Sequence, residues 1–225
     1  MRVLMVAPPG AGKGTQSALI ARHFGIPHLA IGAKLRDNVA RGTELGHLVR
    51  GYLDRGDLVP DEIVMGILRE GLAAAKAAGT GYVLDGIPRT LEQAKAAYRI
   101  AEELDMTVNV ALHLKADDEE VTKRLLERAS REHRSDDNAV VIRQRLDLYR
   151  RATTPILAWY GQRGILVSVD AMRPVEQVGR EILAALDAMA PLVDHVPEDM
   201  RRSVDLSDLG VWLDRYHHDN GPPAG

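Results

Sequence analysis

The chain has no cysteine, so it forms no disulfide and no cysteine-based metal cage. Aromatic side chains are scarce: a single Phe leaves few platforms on which nucleic-acid bases could stack. Neither sign of charge dominates, since the formal net charge is -3 at pH 7, and that near-balance argues against wholesale nucleic-acid binding. No apolar stretch approaches the roughly 20 residues of a membrane span, so no membrane partner is expected. The N-terminus is charged but lacks the apolar run of a signal peptide. Internal repeats and low-complexity blocks are also missing. A soluble cytoplasmic protein is expected, a compartment that the absence of cysteine permits without demanding. Its 225 residues suffice for one α/β domain with a sizeable core and small insertions.

The most informative stretch is Ala7-Pro8-Pro9-Gly10-Ala11-Gly12-Lys13-Gly14-Thr15-Gln16. Before it, Val3-Leu4-Met5-Val6 reads as a buried parallel strand. After it, Leu19, Ile20 and Phe24 suit the apolar face of a helix. A strand, a glycine-rich turn and a helix N-terminus make a phosphate cradle, because glycines let backbone amides face one centre and the helix dipole favours negative charge there. Lys13 can reach the β- and γ-phosphates, and the hydroxyl of Thr15 sits near a bound magnesium. A glycine-rich turn with one lysine is common by itself; its place after a strand makes it a nucleotide phosphate site. The strict pattern asks for Gly where Ala7 stands and for Ser or Thr directly after the lysine, where Gly14 intervenes.

Apolar runs recur between longer helical patterns, the rhythm of a parallel sheet with crossover helices. Strands are expected at Val3-Val6, Ile26-Leu29, Tyr82-Leu84, Val108-Leu114 and Ile165-Val169. Helices are expected over Leu68-Ala78, Leu91-Leu104 and Asp118-Ala129, the last capped by Asp117. A long helix from Asp136 to Gly161 would be kinked at Pro155, and another would run from Pro174 to Met189. Beyond Pro191 the chain turns polar. Leu206, Leu209, Leu213 and Tyr216 have helical spacing, so a helix docked on the core is expected, followed by a disordered end. His195, His217 and His218 lack ligand spacing and read as surface residues.

A second stretch, Gly81-Tyr82-Val83-Leu84-Asp85-Gly86-Ile87-Pro88-Arg89-Thr90, ends a strand in a carboxylate at the edge where sheet ligands bind. Beside a phosphate loop Asp85 can hold magnesium, usually through water. Arg89 follows a proline-stiffened turn and can clamp a phosphate with two parallel hydrogen bonds. Further on, Arg124, Arg128, Arg131, Arg134 and Arg145 recur at helical intervals. Alone they would form a solvated face; beside two nucleotides they have a reason to converge.

Three stretches, Gly-Lys-Gly-Thr-Gln at residues 12–16, Asp-Gly-Ile-Pro-Arg at 85–89 and Arg-Ser-Asp-Asp at 134–137, resemble in this order the nucleoside monophosphate kinases, and the adenylate kinases in particular. The resemblance covers residues 1–189. It implies a P-loop nucleoside triphosphate hydrolase-like core with a five-stranded parallel sheet, a helical monophosphate-binding insertion at 31–60 and a short lid at 125–136. It places ATP on Gly10, Ala11, Gly12, Lys13, Gly14, Thr15, Arg124, Arg128 and Arg173. It places AMP on Ile31, Arg36, Asp57, Leu58, Val59, Gly86, Arg89, Gln93, Arg134 and Arg145, with Gln93 bonding the base. Lys13, Arg89, Arg128, Arg134 and Arg145 would carry the transfer, and Thr15 and Asp85 the magnesium. The Gly42-Thr43-Glu44-Leu45-Gly46 run resembles the turn between the insertion's two helices. A lid this short and free of cysteine would hold no structural zinc of the family's cysteine-caged kind.

The departures fall beside the acceptor. Ile31-Gly32-Ala33 stands where the family has Thr-Gly-Asp, removing a hydroxyl and a carboxylate. Glu127 stands where short-lid relatives commonly have Gly, which would border the donor phosphates with negative charge. The expected activity is reversible transfer of the γ-phosphoryl group of ATP to AMP, giving two ADP, by a monomer. The alternatives are a kinase for another nucleoside monophosphate or analogue, and a nucleotide-binding regulatory paralogue with decayed activity.

Overall fold

Alternation along the strands builds the core in two layers. Leu4, Val6, Tyr82, Leu84 and Ala111 point to one face of a parallel sheet, and Val3, Met5, Val83, Val110 and Leu112 to the other. All ten are buried, as a sheet covered by helices on both faces requires. The computed structural model describes residues 1–132, 138–192 and 204–205. Its strands are β1 (Arg2–Val6), β2 (His28–Ala30), β3 (Tyr82–Asp85), β4 (Val110–Lys115), β5 (Leu166–Asp170) and a two-residue β6 (Val204–Asp205). Their order is β2-β3-β1-β4-β5-β6, every pair parallel. The five expected strands are therefore present with β1 at the centre. From β1 the chain crosses to β2 at one edge, returns to β3 beside β1 and then crosses to β4 on the other side, which opens a crevice at the C-terminal edge of β1, β3 and β4.

The helices are α1 (Lys13–Phe24), α2 (Ile31–Ala40), α3 (Glu44–Arg55), α4 (Asp61–Ala77), α5 (Leu91–Glu103), α6 (Asp118–Glu132), α7 (Ala139–Leu148), α8 (Thr154–Gly161) and α9 (Val175–Met189). Ile20 of α1, Val121 and Leu125 of α6 and Ile182 of α9 cover one face; Leu68 of α4, Ala94 of α5 and Ile156 of α8 cover the other. Local chemistry sets the helix starts. Thr43 and Thr90 cap α3 and α5 by accepting from the Gly46 and Gln93 N–H groups, and Asp117 caps α6 by accepting from Glu119 N–H at 2.8 Å.

Several boundaries differ from the sequence expectation. β2 begins at His28 instead of Ile26, because left-handed Gly25 ends α1 and Pro27 has no N–H to enter the ladder. α4 begins seven residues before Leu68, carried by the buried face of Val64, Ile67, Leu68, Leu72 and Ala75. Pro174 lies at the cap of α9 and not inside its first turn. The long helix is divided. Asn138 caps α7, a π turn spans Tyr149–Thr153, and α8 restarts with Pro155 in its first turn. Pro155 cannot supply the N–H of an uninterrupted helix, and the π turn ahead of it absorbs the change of register. The expected tail helix, with His195, His217 and His218, lies outside the described residues. The pairing of β6 with β5, Val167 with Val204 and Ser168 with Asp205, had no counterpart in the sequence reading.

Candidate active site

The loop after β1 turns sharply through Gly10 and Gly12, whose φ angles of 85° and 84° lie in the left-handed region that side chains disfavour. A Cβ on Gly10 would also sit 2.7 Å from the Val121 carbonyl oxygen of α6, so glycine alone lets the loop lie this close. Gly12 caps α1 without a side chain, and no acidic residue occupies that helix's first turn. The helix dipole thus faces the crevice unneutralised, as an anion site needs. Ala11 is buried beneath the loop and donates its N–H to the Pro8 carbonyl at 3.3 Å.

Lys13 donates from Nζ to the Ala7 carbonyl at 3.0 Å, which holds the ammonium under the loop. Loss of water around it lowers its pKa; Asp85 opposes this, and Arg89, Arg145 and Arg128 reinforce it. Asp85 ends β3, next to Met5 of β1 in register. Burial works to raise its carboxyl, but the nearby His28 ring and the charges of Lys13 and Arg89 together hold it below the ordinary value. A Cβ on Gly14 would lie 3.8 Å from Asp85 Oδ2, so the start of α1 and the carboxylate face each other. His28 Nε2 is 3.6 Å from the same oxygen.

Arg89 is fixed by backbone and side chain alike. Its Nε donates to the Gly86 carbonyl at 2.9 Å, its N–H to Gln93 Oε1 at 2.8 Å, and its carbonyl accepts from Thr153 Oγ1 at 3.3 Å. Arg36, on α2, reaches the same place. A Cβ added to Gly32 would lie 3.4 Å from Arg36 Nη1 and 3.9 Å from Arg89 Nη2, so two guanidinium groups meet over one backbone glycine. Two guanidinium groups converging here suit a phosphate between them.

A cleft of about 530 Å³ gathers most of the expected residues: Gly10, Gly12, Lys13, Gly14, Thr15, Arg36, Asp85, Gly86, Arg89, Arg124, Arg128 and Arg145. Among the described residues, Lys13 and five arginines line it against the one carboxylate of Asp85, a balance suited to polyphosphate. A small adjoining cavity of about 20 Å³ is lined by Ile31, Asp57, Leu58, Val59, Gly86, Arg89 and Gln93. Arg124 also donates to Glu120 at 2.9 Å and to the Ala171 carbonyl at 3.2 Å, tying α6 to the loop after β5. Arg173 is not among the residues lining the cleft; it pairs with Glu181 and Asp170. Arg134 lies outside the described residues. Glu127 is exposed and does not line the cleft either.

The departures from Thr-Gly-Asp take up different positions. Ile31 is 3% exposed and packs into the core, while Ala33 is exposed in the first turn of α2, which has neither a side-chain cap nor an acidic residue. Sequence reasoning missed His28, Asp61 and Thr153. Thr153 is buried, but its neighbours Arg150, Arg151 and Thr154 are polar and give no local signal of that. Asp61 gives no signal either, because an acidic residue in a helix's first turn is ordinary.

Among the described residues no group of three or more His, Asp or Glu could hold a metal. The pair of Thr15 and Asp85 still fits magnesium, which keeps several waters and binds through one or two carboxylates plus substrate phosphates. No described helix is long and apolar enough to cross a membrane.

Comparison with known proteins gives one consistent result. The family model described as adenylate kinase matches residues 5–165. The adenylate kinase of Thermobifida fusca is 46% identical over 190 residues, covering 84% of this chain and 100% of that protein. That of Leptospira biflexa is 43% identical over 185 residues, covering 82% and 99%, and that of Thermus thermophilus 42% over 184 residues, covering 82% and 96%.

Proposed function

The chain belongs to the adenylate kinase family, and from that premise we propose how its residues carry the reversible transfer of the γ-phosphoryl group of ATP to AMP. The observation that carries the assignment of roles is the meeting of Arg36 and Arg89 over Gly32, across the same cleft from Lys13. A phosphoryl donor needs one anion site and an acceptor monophosphate needs another, and this cleft has both.

On the donor side the backbone amides from Gly10 to Thr15 and Lys13 hold the β- and γ-phosphates, with Arg124 and Arg128 around the rest of ATP. Arg36 and Arg89 hold the phosphate of AMP, while Ile31, Gly86, the backbone at Asp57 to Val59 and Gln93 border its base. Arg128, Arg134 and Arg145 neutralise the group in flight. Phosphoryl transfer spreads charge over the moving group, so catalysis consists of positioning and charge stabilisation. A general base is unnecessary because the attacking atom is already an anionic phosphate oxygen. Magnesium carried with ATP would be held by Thr15 and Asp85 and would supply charge neutralisation at the donor phosphates.

Residues 31–60 serve as the monophosphate-binding insertion and 125–136 as a short lid on a domain of residues 1–189, with 190–225 an added tail. One chain supplies both nucleotide sites, so the enzyme needs no second copy and works as a monomer in the cytoplasm. The alternatives, another acceptor or a role without catalysis, gain no support from the relatives. Calorimetry with an analogue joining two adenosines through a phosphate chain tests the assignment. One analogue should bind per chain, and Lys13→Ala and Arg36→Ala should each weaken it by at least tenfold. Undiminished binding in both variants would remove the phosphate roles given to these residues.

A further inference from the structure

Gln93 is 2% exposed, and both ends of its amide are held. Oε1 accepts from the Arg89 backbone N–H at 2.8 Å, and Nε2 donates to Asp61 Oδ1 at 2.8 Å. The polarity of these partners is fixed, since a backbone N–H only donates and an ionised carboxylate only accepts. Turning the amide over would set N–H against N–H and oxygen against oxygen where almost no water reaches, so one orientation is strongly preferred. The amide still has one N–H and one oxygen lone pair to offer, and Gln93 lines the small cavity between Leu58, Val59 and Gly86.

That remaining edge has a consequence for purines. An amide free to rotate pairs equally well with either kind. A 6-amino purine donates from its amino group to the oxygen and accepts at N1 from the nitrogen. A 6-oxo purine needs the reverse, accepting at O6 and donating from N1. An amide that cannot rotate matches one kind and opposes the other with two like poles.

We propose that Asp61 is a specificity-determining residue: from the first turn of α4, together with the Arg89 N–H, it locks the Gln93 amide and so selects a 6-amino over a 6-oxo purine monophosphate. The inference rests on the reading that Gln93 borders the acceptor base. Asp61 itself does not line the cavity and acts through Gln93 alone. It lies 32 residues from its partner in the chain and belongs to the element that follows the insertion.

The test is the ratio of kcat/KM for AMP over inosine monophosphate at fixed ATP and magnesium, in the parent protein, Asp61→Asn and Gln93→Leu. Asparagine keeps the shape of aspartate but can present either pole to Gln93. One of the two restraints is then lost, and the AMP preference should fall about tenfold, chiefly through faster turnover of inosine monophosphate. Gln93→Leu should lower turnover of AMP and collapse the ratio as well. If Asp61→Asn lowers both substrates equally, or changes neither, while Gln93→Leu collapses the ratio, Asp61 is structural and the proposal is wrong. If the ratio survives in Gln93→Leu too, the reading of Gln93 on which the proposal stands has failed.

Discussion

Lys13 keeps an ammonium where the surrounding protein works to discharge it, with Asp85 the nearby charge that opposes the loss. Phosphate would complete that compensation, as the role proposed for Lys13 in binding and transfer requires. Lys13→Ala should cut turnover by roughly 10²–10³-fold. Its melting temperature should stay within a few degrees of the parent, measured by calorimetry beside a coupled ADP assay. His113 makes a different residue-scale prediction. Burial, with a smaller push from Lys115, lowers its pKa from 6.5 to about 4, and its ring bonds the Tyr149 hydroxyl at 3.1 Å. The unfolded chain therefore binds a proton at this site between those values while the fold does not, so stability falls as pH drops from 6.5 towards 4. The loss is at most about 3 kcal/mol, and His113→Gln should flatten that slope in denaturant titrations across the range. Lys13, Asp85 and Arg89 were legible in the sequence because each sits within a few residues of a strand end or a glycine turn. Asp61 and Thr153 were not, since their partners Gln93 and Arg89 lie 32 and 64 residues away and only the fold brings them together.

At the scale of elements, the start of α2 shows where this chain has given up local support. Ala30 caps it without a side chain, and Ala33 stands where a carboxylate would complement the dipole. Ala33→Asp should stabilise the protein by about 0.3–1 kcal/mol in chemical denaturation. Adding Ile31→Thr should raise kcat/KM for AMP several-fold through one more hydrogen bond, at some cost in core packing because Ile31 is buried. A fall in AMP turnover in the double variant would mean that the pocket suits another acceptor. The strands β1 to β5 and the longer helices followed from periodicity, and α2 and α3 only from the resemblance, whereas boundaries did not. The division of the Asp136–Gly161 helix depended on Pro155 and on Thr153 reaching Arg89, a tertiary contact that no local pattern encodes.

For the whole molecule, the fold sets the two anion sites on one edge of the sheet, and transfer without hydrolysis requires water to be shut out. Binding of the joined-adenosine analogue should draw 31–60 inward and reduce the radius of gyration in solution scattering; identical profiles would contradict closure. The tail is the part that the sequence described least, because its pairing with β5 involves two residues and no periodic signal. Truncation before Leu192 removes β6 and leaves β5 as an open edge, so the shortened protein should keep its turnover and lose stability. Loss of turnover would give the tail a role in the site. The central claim, that this cleft moves a phosphoryl group between two adenine nucleotides, is tested most directly by phosphorus NMR of the protein with ATP, AMP and magnesium. The account predicts that ATP and AMP fall together, one for one, as ADP rises to an equilibrium mixture without free phosphate, and that Lys13→Ala slows the conversion by roughly the same 10²–10³-fold. Release of inorganic phosphate with AMP untouched would contradict it.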